Sequence, residues 1–240
     1  MNRRNTILFA VLSIALLLLF ILDVAIGAVS IPLSEVWRAL VGGDVDPTTA
    51  KIVKDIRLVK AVVAVATGVA LSLSGLLMQT LFRNPLAGPY VLGISSGASL
   101  GVAIFILGAP IFGLAANSVG SAVGIAGAAW AGSALILVFI AAVSRRIKDI
   151  MVILILGMMF SSGVSAIVQV LQYLSHEDAL KSFVIWTMGS LGDVTASQLW
   201  LVIPAVLIGV VLSVMVIKPL NLLLLGENYA RTMGLNIKRS

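Results

Sequence analysis

Six long apolar segments constrain this chain more than any other feature. Each approaches the roughly 20 residues that a helix needs to cross the hydrocarbon core of a bilayer. Charged residues make up only 11% of the chain, less than half of the roughly 25% typical of soluble domains. The sequence therefore predicts an all-α fold, a polytopic transmembrane helical bundle in which residues 1–240 form one domain in a lipid bilayer. The predicted spans are 5–28, 57–81, 92–108, 118–143, 149–173 and 198–217.

The distribution of lysine and arginine between these segments predicts their orientation. Ten basic residues fall on one side of the predicted membrane and six on the other, and the more basic side is normally cytoplasmic. The ten are Arg3, Arg4, Arg83, Arg145, Arg146, Lys148, Lys218, Arg231, Lys238 and Arg239. We therefore expect a cytoplasmic N-terminus. The first segment is longer than the apolar region of a signal peptide, so we expect it to be retained.

Several functions are disfavoured by what the sequence lacks. The basic residues behind the net charge of +6 cluster between the apolar segments, where membrane topology explains them, so the charge does not indicate nucleic-acid binding. There is no cysteine, and His176 is the single histidine, so we expect no metal site and no cofactor. No predicted span has a basic residue or a glutamate near its centre, which argues against an ion-coupled carrier. No phosphate-binding loop of the G-x-x-x-x-G-K-[ST] type occurs, so energy for uphill transport would have to come from a partner.

Small residues recur every four positions in three of the predicted spans. Such spacing leaves a groove along one helix face, and close backbone approach of this kind holds membrane helices together. Spacing alone leaves open whether the bundle encloses a path or is simply packed. The three series are Gly93, Gly97 and Gly101, then Gly120, Gly124, Ala128 and Gly132, and finally Ala64, Gly68 and Ser72.

Uncharged polar residues also share helix faces. Ser161, Ser165 and Gln169 fall four apart on the fifth span, and Ser72 and Gln79 share a face of the second. These side chains suit either hydrogen bonds between helices or a conduit that must not trap its cargo. Both interpretations stay open, and the five residues are candidates for a pathway.

Two cytoplasmic segments interrupt the apolar pattern. Arg83 ends the second span, Asn84 precedes Pro85, and Pro89 blocks helix again, which predicts a tight turn. Residues 225–240 predict a short helix from Glu227 to Met233 closed by a glycine. From the residues alone this helix is either a solvated surface helix or a surface that meets a partner.

Four stretches, in this order along the chain, resemble one family. They are "RLVK" at 57–60, "SGLLMQTLFRNPLAGPYVLGISSGASLG" at 74–101, "WTMGSLGDVTASQLW" at 186–200 and "LGENYARTMGLNIKRS" at 225–240. Together they resemble the permease subunits of ABC importers for iron-siderophores, haem and cobalamin, the FecCD-type family. The resemblance covers nearly the whole chain.

This resemblance implies a membrane transport subunit that is not itself an enzyme. It implies cytoplasmic ATPase subunits, an extracytoplasmic substrate-binding protein and a second permease copy, in a homodimer or heterodimer, in a bacterial inner membrane. Residues 225–240 would form the cytoplasmic segment that couples to the ATPase, and 186–200 a gate at the outer end of the path. The implied ATPase contacts are Gly226, Glu227, Ala230, Arg231 and Gly234.

The basic pair Arg57 and Lys60 would meet carboxylates of the binding protein. The family's usual "RLPR" is "RLVK" here, and a lysine keeps the charge but loses the bidentate fork of arginine.

Family members continue beyond the point at which this sequence stops, so we expect a truncated chain whose competence to transport is in doubt. A non-transporting remnant and a stand-alone secondary carrier are the alternatives. The resemblance favours an iron-siderophore as cargo, ahead of haem and cobalamin.

Overall fold

The computed structural model describes residues 3–108, 122–147, 149–192 and 194–235. Every regular element in these ranges is helical, which confirms the predicted all-α class. The helices are α1 (Arg3–Ala25), α2 (Leu33–Val41), α3 (Pro47–Phe82), α4 (Ile94–Ile106), α5 (Ala122–Ser144), α6 (Ile150–Leu174), α7 (Glu177–Met188), α8 (Ala196–Leu224) and α9 (Glu227–Thr232). A 3₁₀ turn, Pro89–Leu92, precedes α4.

Within the described ranges, five helices are long and apolar enough to cross a membrane: α1, α3, α5, α6 and α8. The third predicted span, 92–108, contains α4, which has 13 residues where about 20 are needed to cross a bilayer. Helix α4 ends just ahead of Gly108, whose N–H closes the last turn on the carbonyl of Ala103. Residues 118–121, with which the fourth predicted span begins, lie outside the described residues.

The segment 29–56 contains more helix than the sequence indicated. It contains α2, and α3 begins at Pro47, ten residues before the predicted start of the second span. The Asp46 carboxylate accepts the N–H groups of Thr48 and Thr49 at 3.0 and 3.2 Å. An aspartate cap followed by proline in the first turn is a strong helix start. The helix then passes through a π-helical turn, Ile52–Leu58.

The described residues form two compact units. The first comprises residues up to Val69 and Ser190–Gly209. Its core joins the end of α1, the inner face of α2 and the first turns of α3. The buried members are Val24, Val36, Ala39, Val53 and Ala61.

The second unit comprises Ala70–Gly189 and the residues from Val210 onward. One apolar cluster joins α4, α6 and α7, and another packs the 3₁₀ turn against α5. The first consists of Val102, Ala103, Ile106, Leu107, Val164, Val168 and Phe183. The second consists of Leu92, Ile136 and Ile140.

Helices α4 and α5 cross in direct backbone contact. A Cβ on Gly101 would lie 2.1 Å from the carbonyl oxygen of Ala128, and one on Gly132 would lie 2.1 Å from that of Gly97. Two of the three predicted grooves are therefore packed against each other, as expected for membrane helices. The third is different, because a Cβ on Gly68 would meet nothing within 4 Å.

Candidate functional site

A pocket whose lining residues are mostly polar and uncharged opens in the second unit between α4, α6 and α7. Its volume is about 350 Å³. The lining carries five hydroxyl groups and two amides but no charged side chain, over a floor of Val164, Val168 and Phe183. The polar residues are Ser95, Ser96, Ser99, Ser165, Gln169, Gln172 and Thr187.

The helices fix the direction of two of these hydroxyl groups. On α6, Ser165 Oγ donates to the carbonyl of Ser161 at 2.9 Å, and on α7 Thr187 Oγ1 donates to Val184 at 2.7 Å. A hydroxyl that donates to its own helix keeps lone pairs with which to accept. The pocket can therefore hold water or the neutral polar groups of a ligand, without a charge that would retain an ionic cargo.

The predicted pathway residues have three different positions. Ser165 and Gln169 line the pocket. Ser161 lies one turn earlier on α6, where its hydroxyl donates to the carbonyl of Gly157. Ser72 and Gln79 are exposed on α3 and are not part of the lining.

Sequence reasoning missed the contribution of α4 to this pocket. Ser95, Ser96 and Ser99 lie among the glycines of the series 93–101 and were not predicted to line a pathway. The spacing of Ser95 and Ser99, four apart like the series on α6, was the signal that could have found them.

The predicted docking pair connects α1 to α3. Arg57 is only 5% exposed, and its guanidinium donates to the carbonyls of Val24 and Ala25 at the end of α1 and to that of Val29 in the segment after it. These bonds satisfy carbonyl groups that a helix end leaves open. Lys60 is 46% exposed and pairs with Asp23 at 3.1 Å. Of the two basic residues, only Lys60 has its side chain at the surface of this chain.

The predicted tight turn is present between α3 and α4. Asn84 Oδ1 accepts the N–H of Leu86 at 2.9 Å, an arrangement that competes with helix and favours a turn. Pro85 follows Asn84 directly, and Pro89 occupies the first position of the 3₁₀ turn. Arg83 lies at the end of α3 with a positive φ.

The predicted cytoplasmic helix is present as α9, with Gly234 beyond it in the left-handed conformation at φ +86°. Of the implied ATPase contacts, Arg231 and Gly234 are exposed, Gly226 is half-buried and Ala230 is fully buried. The Ala230 methyl group is thus not at the surface of this chain. The side chain of Glu227 and residues 236–240 lie outside the described residues.

Two exposed apolar residues on this segment were missed. Tyr229 and Met233 are 48% and 59% exposed, and their spacing of four places them on one face. Exposed apolar side chains beside a charged one are common at surfaces that meet a partner.

The fold and the pocket define a multi-pass α-helical membrane protein with a neutral polar cavity among its helices. The FecCD transport family matches residues 15–240. The hemin transport system permease protein HmuU of Yersinia pestis is 34% identical over 235 residues, covering 95% of this chain and 68% of that protein. The molybdate import system permease protein MolB of Haemophilus influenzae is 30% identical over 234 residues, with coverages of 94% and 66%.

The chain therefore belongs to the FecCD transport family, whose members are permease subunits of ABC transporters and not enzymes. It spans about two thirds of the length of these relatives. A solved ABC transporter structure, described as of metal-chelate type and inward-facing, is similar to it with a TM-score of 0.80. The identity is 28%, over 98% of this chain and 70% of the other.

Proposed function

We propose that this chain forms part of the membrane pathway of an ABC importer for an iron-siderophore or a related metal chelate such as haem or cobalamin. A separate cytoplasmic ATPase supplies the energy, an extracytoplasmic binding protein delivers the cargo, and a second permease copy completes the path. The observation that carries this proposal is the uncharged polar pocket on α4, α6 and α7 of a FecCD permease.

The exposure of the pocket residues supports a pathway facing a second subunit. Ser95, Ser165 and Gln169 are exposed on the isolated chain, beside apolar helix faces. A side-chain amide such as that of Gln169, facing hydrocarbon without a partner, is unfavourable by about 1–3 kcal/mol, whereas the Ser165 hydroxyl already donates to the carbonyl of Ser161. We propose that these residues face water and cargo between two permease copies and are not in contact with lipid.

The chemistry of the lining supports a cargo that is selected elsewhere. Hydroxyls and amides can exchange hydrogen bonds with many neutral groups, but no charged side chain in the lining anchors one particular ligand. Selection by the binding protein is consistent with a family in which one relative is named for hemin and another for molybdate. We propose an iron-siderophore for this chain. Uptake of radiolabelled ferric siderophore, hemin and molybdate into cells expressing the intact importer would distinguish these cargoes.

The surfaces for the two protein partners are proposed at opposite sides of the membrane. On the outer side Lys60 is the accessible member of the docking pair, while Arg57 holds the end of α1 beneath it. Rim charges of this kind mainly accelerate encounter. On the cytoplasmic side Arg231, with the neighbouring apolar face of α9, meets the ATPase. The N-terminus is cytoplasmic in this arrangement, as the basic residues indicate.

The ATPase contact can be tested with two variants that change charge equally. Glu227→Arg reverses a charge on α9, whereas Glu177→Arg makes the same change at the start of α7, on the proposed outer side. We expect Glu227→Arg to abolish ATPase co-purification while insertion into the membrane stays normal. Glu177→Arg should retain the ATPase at the wild-type level.

Two results would count against the proposal. Unchanged ATPase retention by Glu227→Arg would remove α9 from the contact. Ion-driven uptake by liposomes that contain only this chain would instead support a stand-alone carrier.

A further inference from the structure

The end of α3 places an arginine where the backbone favours glycine. Arg83 has a φ of +48°, and among the residues that the structure describes it is the only non-glycine with a positive φ. Its N–H bonds to the carbonyl of Thr80, and the N–H of Asn84 bonds to that of Gln79. This pair of bonds is the Schellman ending of a helix, in which the left-handed residue is usually glycine. A side chain kept in this strained position indicates a role that glycine could not fill.

The Arg83 side chain reaches the end of another helix. Its guanidinium donates to the carbonyl of Leu223, in the last turn of α8. The same carbonyl accepts the N–H of Gly226 at 3.1 Å, and the Gly226 carbonyl accepts the N–H of Ala230 at 2.9 Å. Arg83 therefore holds the last turn of α8 directly before the chain enters α9.

The segment 83–93, which begins at Arg83, contacts α6 at its other end. A Cβ on Gly157 would lie 2.5 Å from the carbonyl oxygen of Val91 and 3.0 Å from Cα of Leu92. A Cβ on Gly93 would lie 2.9 Å from Ser161 Oγ. The segment 83–93 is thus in close contact with the part of α6 that precedes its pocket-lining residues.

We propose that Arg83 is a positioning residue that connects α9 to the pocket through the segment 83–93. Displacement of α9 pulls on Leu223 and, through the guanidinium, on this segment, which moves against α6 at Gly157. The inference rests on the proposed function in one respect, namely that α9 is the helix moved by the ATPase. Loss of the guanidinium should leave ATPase binding in place and separate hydrolysis from transport.

The test compares Arg83→Gly, Arg83→Lys and Arg145→Gly in the full chain. Glycine removes the side chain but suits the left-handed backbone, so a purely structural helix ending would be as stable or more stable. Lysine retains a donor with less reach and geometric fit. Arg145→Gly removes the same charge from an exposed position after α5.

The first measurement is hydrogen exchange of the amides of residues 226–235 in the purified chain. We expect faster exchange in Arg83→Gly, an intermediate rate in Arg83→Lys and the wild-type rate in Arg145→Gly. The second is cargo transported per ATP hydrolysed in the assembled importer. We expect an about tenfold fall for Arg83→Gly with the ATPase retained, a loss within the usual range of coupling between sites, and partial recovery with lysine.

Each outcome decides a separate point. Wild-type exchange in Arg83→Gly would overturn the connection between Arg83 and α8. Faster exchange with unchanged transport per ATP would overturn its role in coupling. If the wild-type chain retains no ATPase, the proposed function fails, and the exchange experiment still decides whether Arg83 holds the end of α8.

Discussion

The backbone contact between α4 and α5 predicts that one added methyl group will destabilise the second unit. A Cβ on Gly132 would lie 2.1 Å from the carbonyl oxygen of Gly97 and 3.1 Å from Cα of Gly101, whereas ordinary contact begins at 3.4 Å. The opposing atoms are backbone and cannot rotate away. Gly132→Ala can therefore be accommodated only if the helices separate.

The magnitude follows from this distance. A separation of about 1 Å forfeits roughly a quarter to a half of the dispersion energy of each contact along the crossing. Overpacked cores lose about 1–3 kcal/mol, so we expect about 2 kcal/mol for Gly132→Ala. That free energy corresponds to an about 30-fold shift in the unfolding equilibrium.

A matched control lies on the same helix. A Cβ on Gly127 would meet nothing within 4 Å, so Gly127→Ala has the same change in helix propensity without the clash. The difference between the two variants isolates the clash, since the gain of up to about 1 kcal/mol from replacing glycine by alanine is common to both.

The assay is equilibrium unfolding by sodium dodecyl sulfate in mixed micelles, followed by circular dichroism. We expect the midpoint for Gly132→Ala to fall well below that of the wild type and the midpoint for Gly127→Ala to stay level or rise. Equal midpoints for the two variants would refute the close crossing of α4 and α5.

Two further predictions concern the segment 83–93 and the end of α1. Gly157→Ala should increase the rate of proteolytic cleavage within 83–93 several-fold, because the added Cβ displaces Val91. Gly163→Ala, whose Cβ would meet nothing within 4 Å, should leave that rate unchanged. Equal cleavage rates for the two variants would contradict the contact between 83–93 and α6. Arg57→Met should lower the free energy of unfolding, measured by thermal denaturation, by about 1–3 kcal/mol, since the buried carbonyl of Val24 and the part-buried carbonyls of Ala25 and Val29 lose their donor. Lys60→Met, which breaks an exposed ion pair, should change it by no more than about 1 kcal/mol, and a larger effect of Lys60→Met than of Arg57→Met would reverse the roles assigned to this pair.

The position of Arg57 shows the limit of what the sequence could indicate about the predicted docking pair. Its charge and its place in "RLVK" indicated a docking residue, because both are properties of the local sequence. Its burial depends on the end of α1, which lies more than 25 residues away in the chain. No pattern within "RLVK" encodes this contact.

The lining of the pocket likewise includes some residues that the sequence could indicate and others that it could not. Periodicity identified Ser165 and Gln169 on α6, because a helix places every fourth residue on one face. It could not indicate that Ser95 and Ser99 of α4 would complete the lining, since that depends on how closely two helices pack. At the glycines at 93 and 157 the chain segments approach so closely that an added Cβ would lie 2.9 Å from Ser161 Oγ and 2.5 Å from the carbonyl oxygen of Val91, respectively.

The sequence by itself determined the helical class, most of the membrane-crossing segments, the tight turn at 84–89 and the short helix before Gly234. The length of an apolar segment and the conformational effects of proline and glycine depend on residues that are adjacent in the chain, so these features can be predicted from the local sequence. The tertiary structure alone decided that Arg57 is buried, that α4 lines the pocket and that Arg83 reaches Leu223. Each of these depends on atoms that are distant in the chain and meet only after the helices have packed.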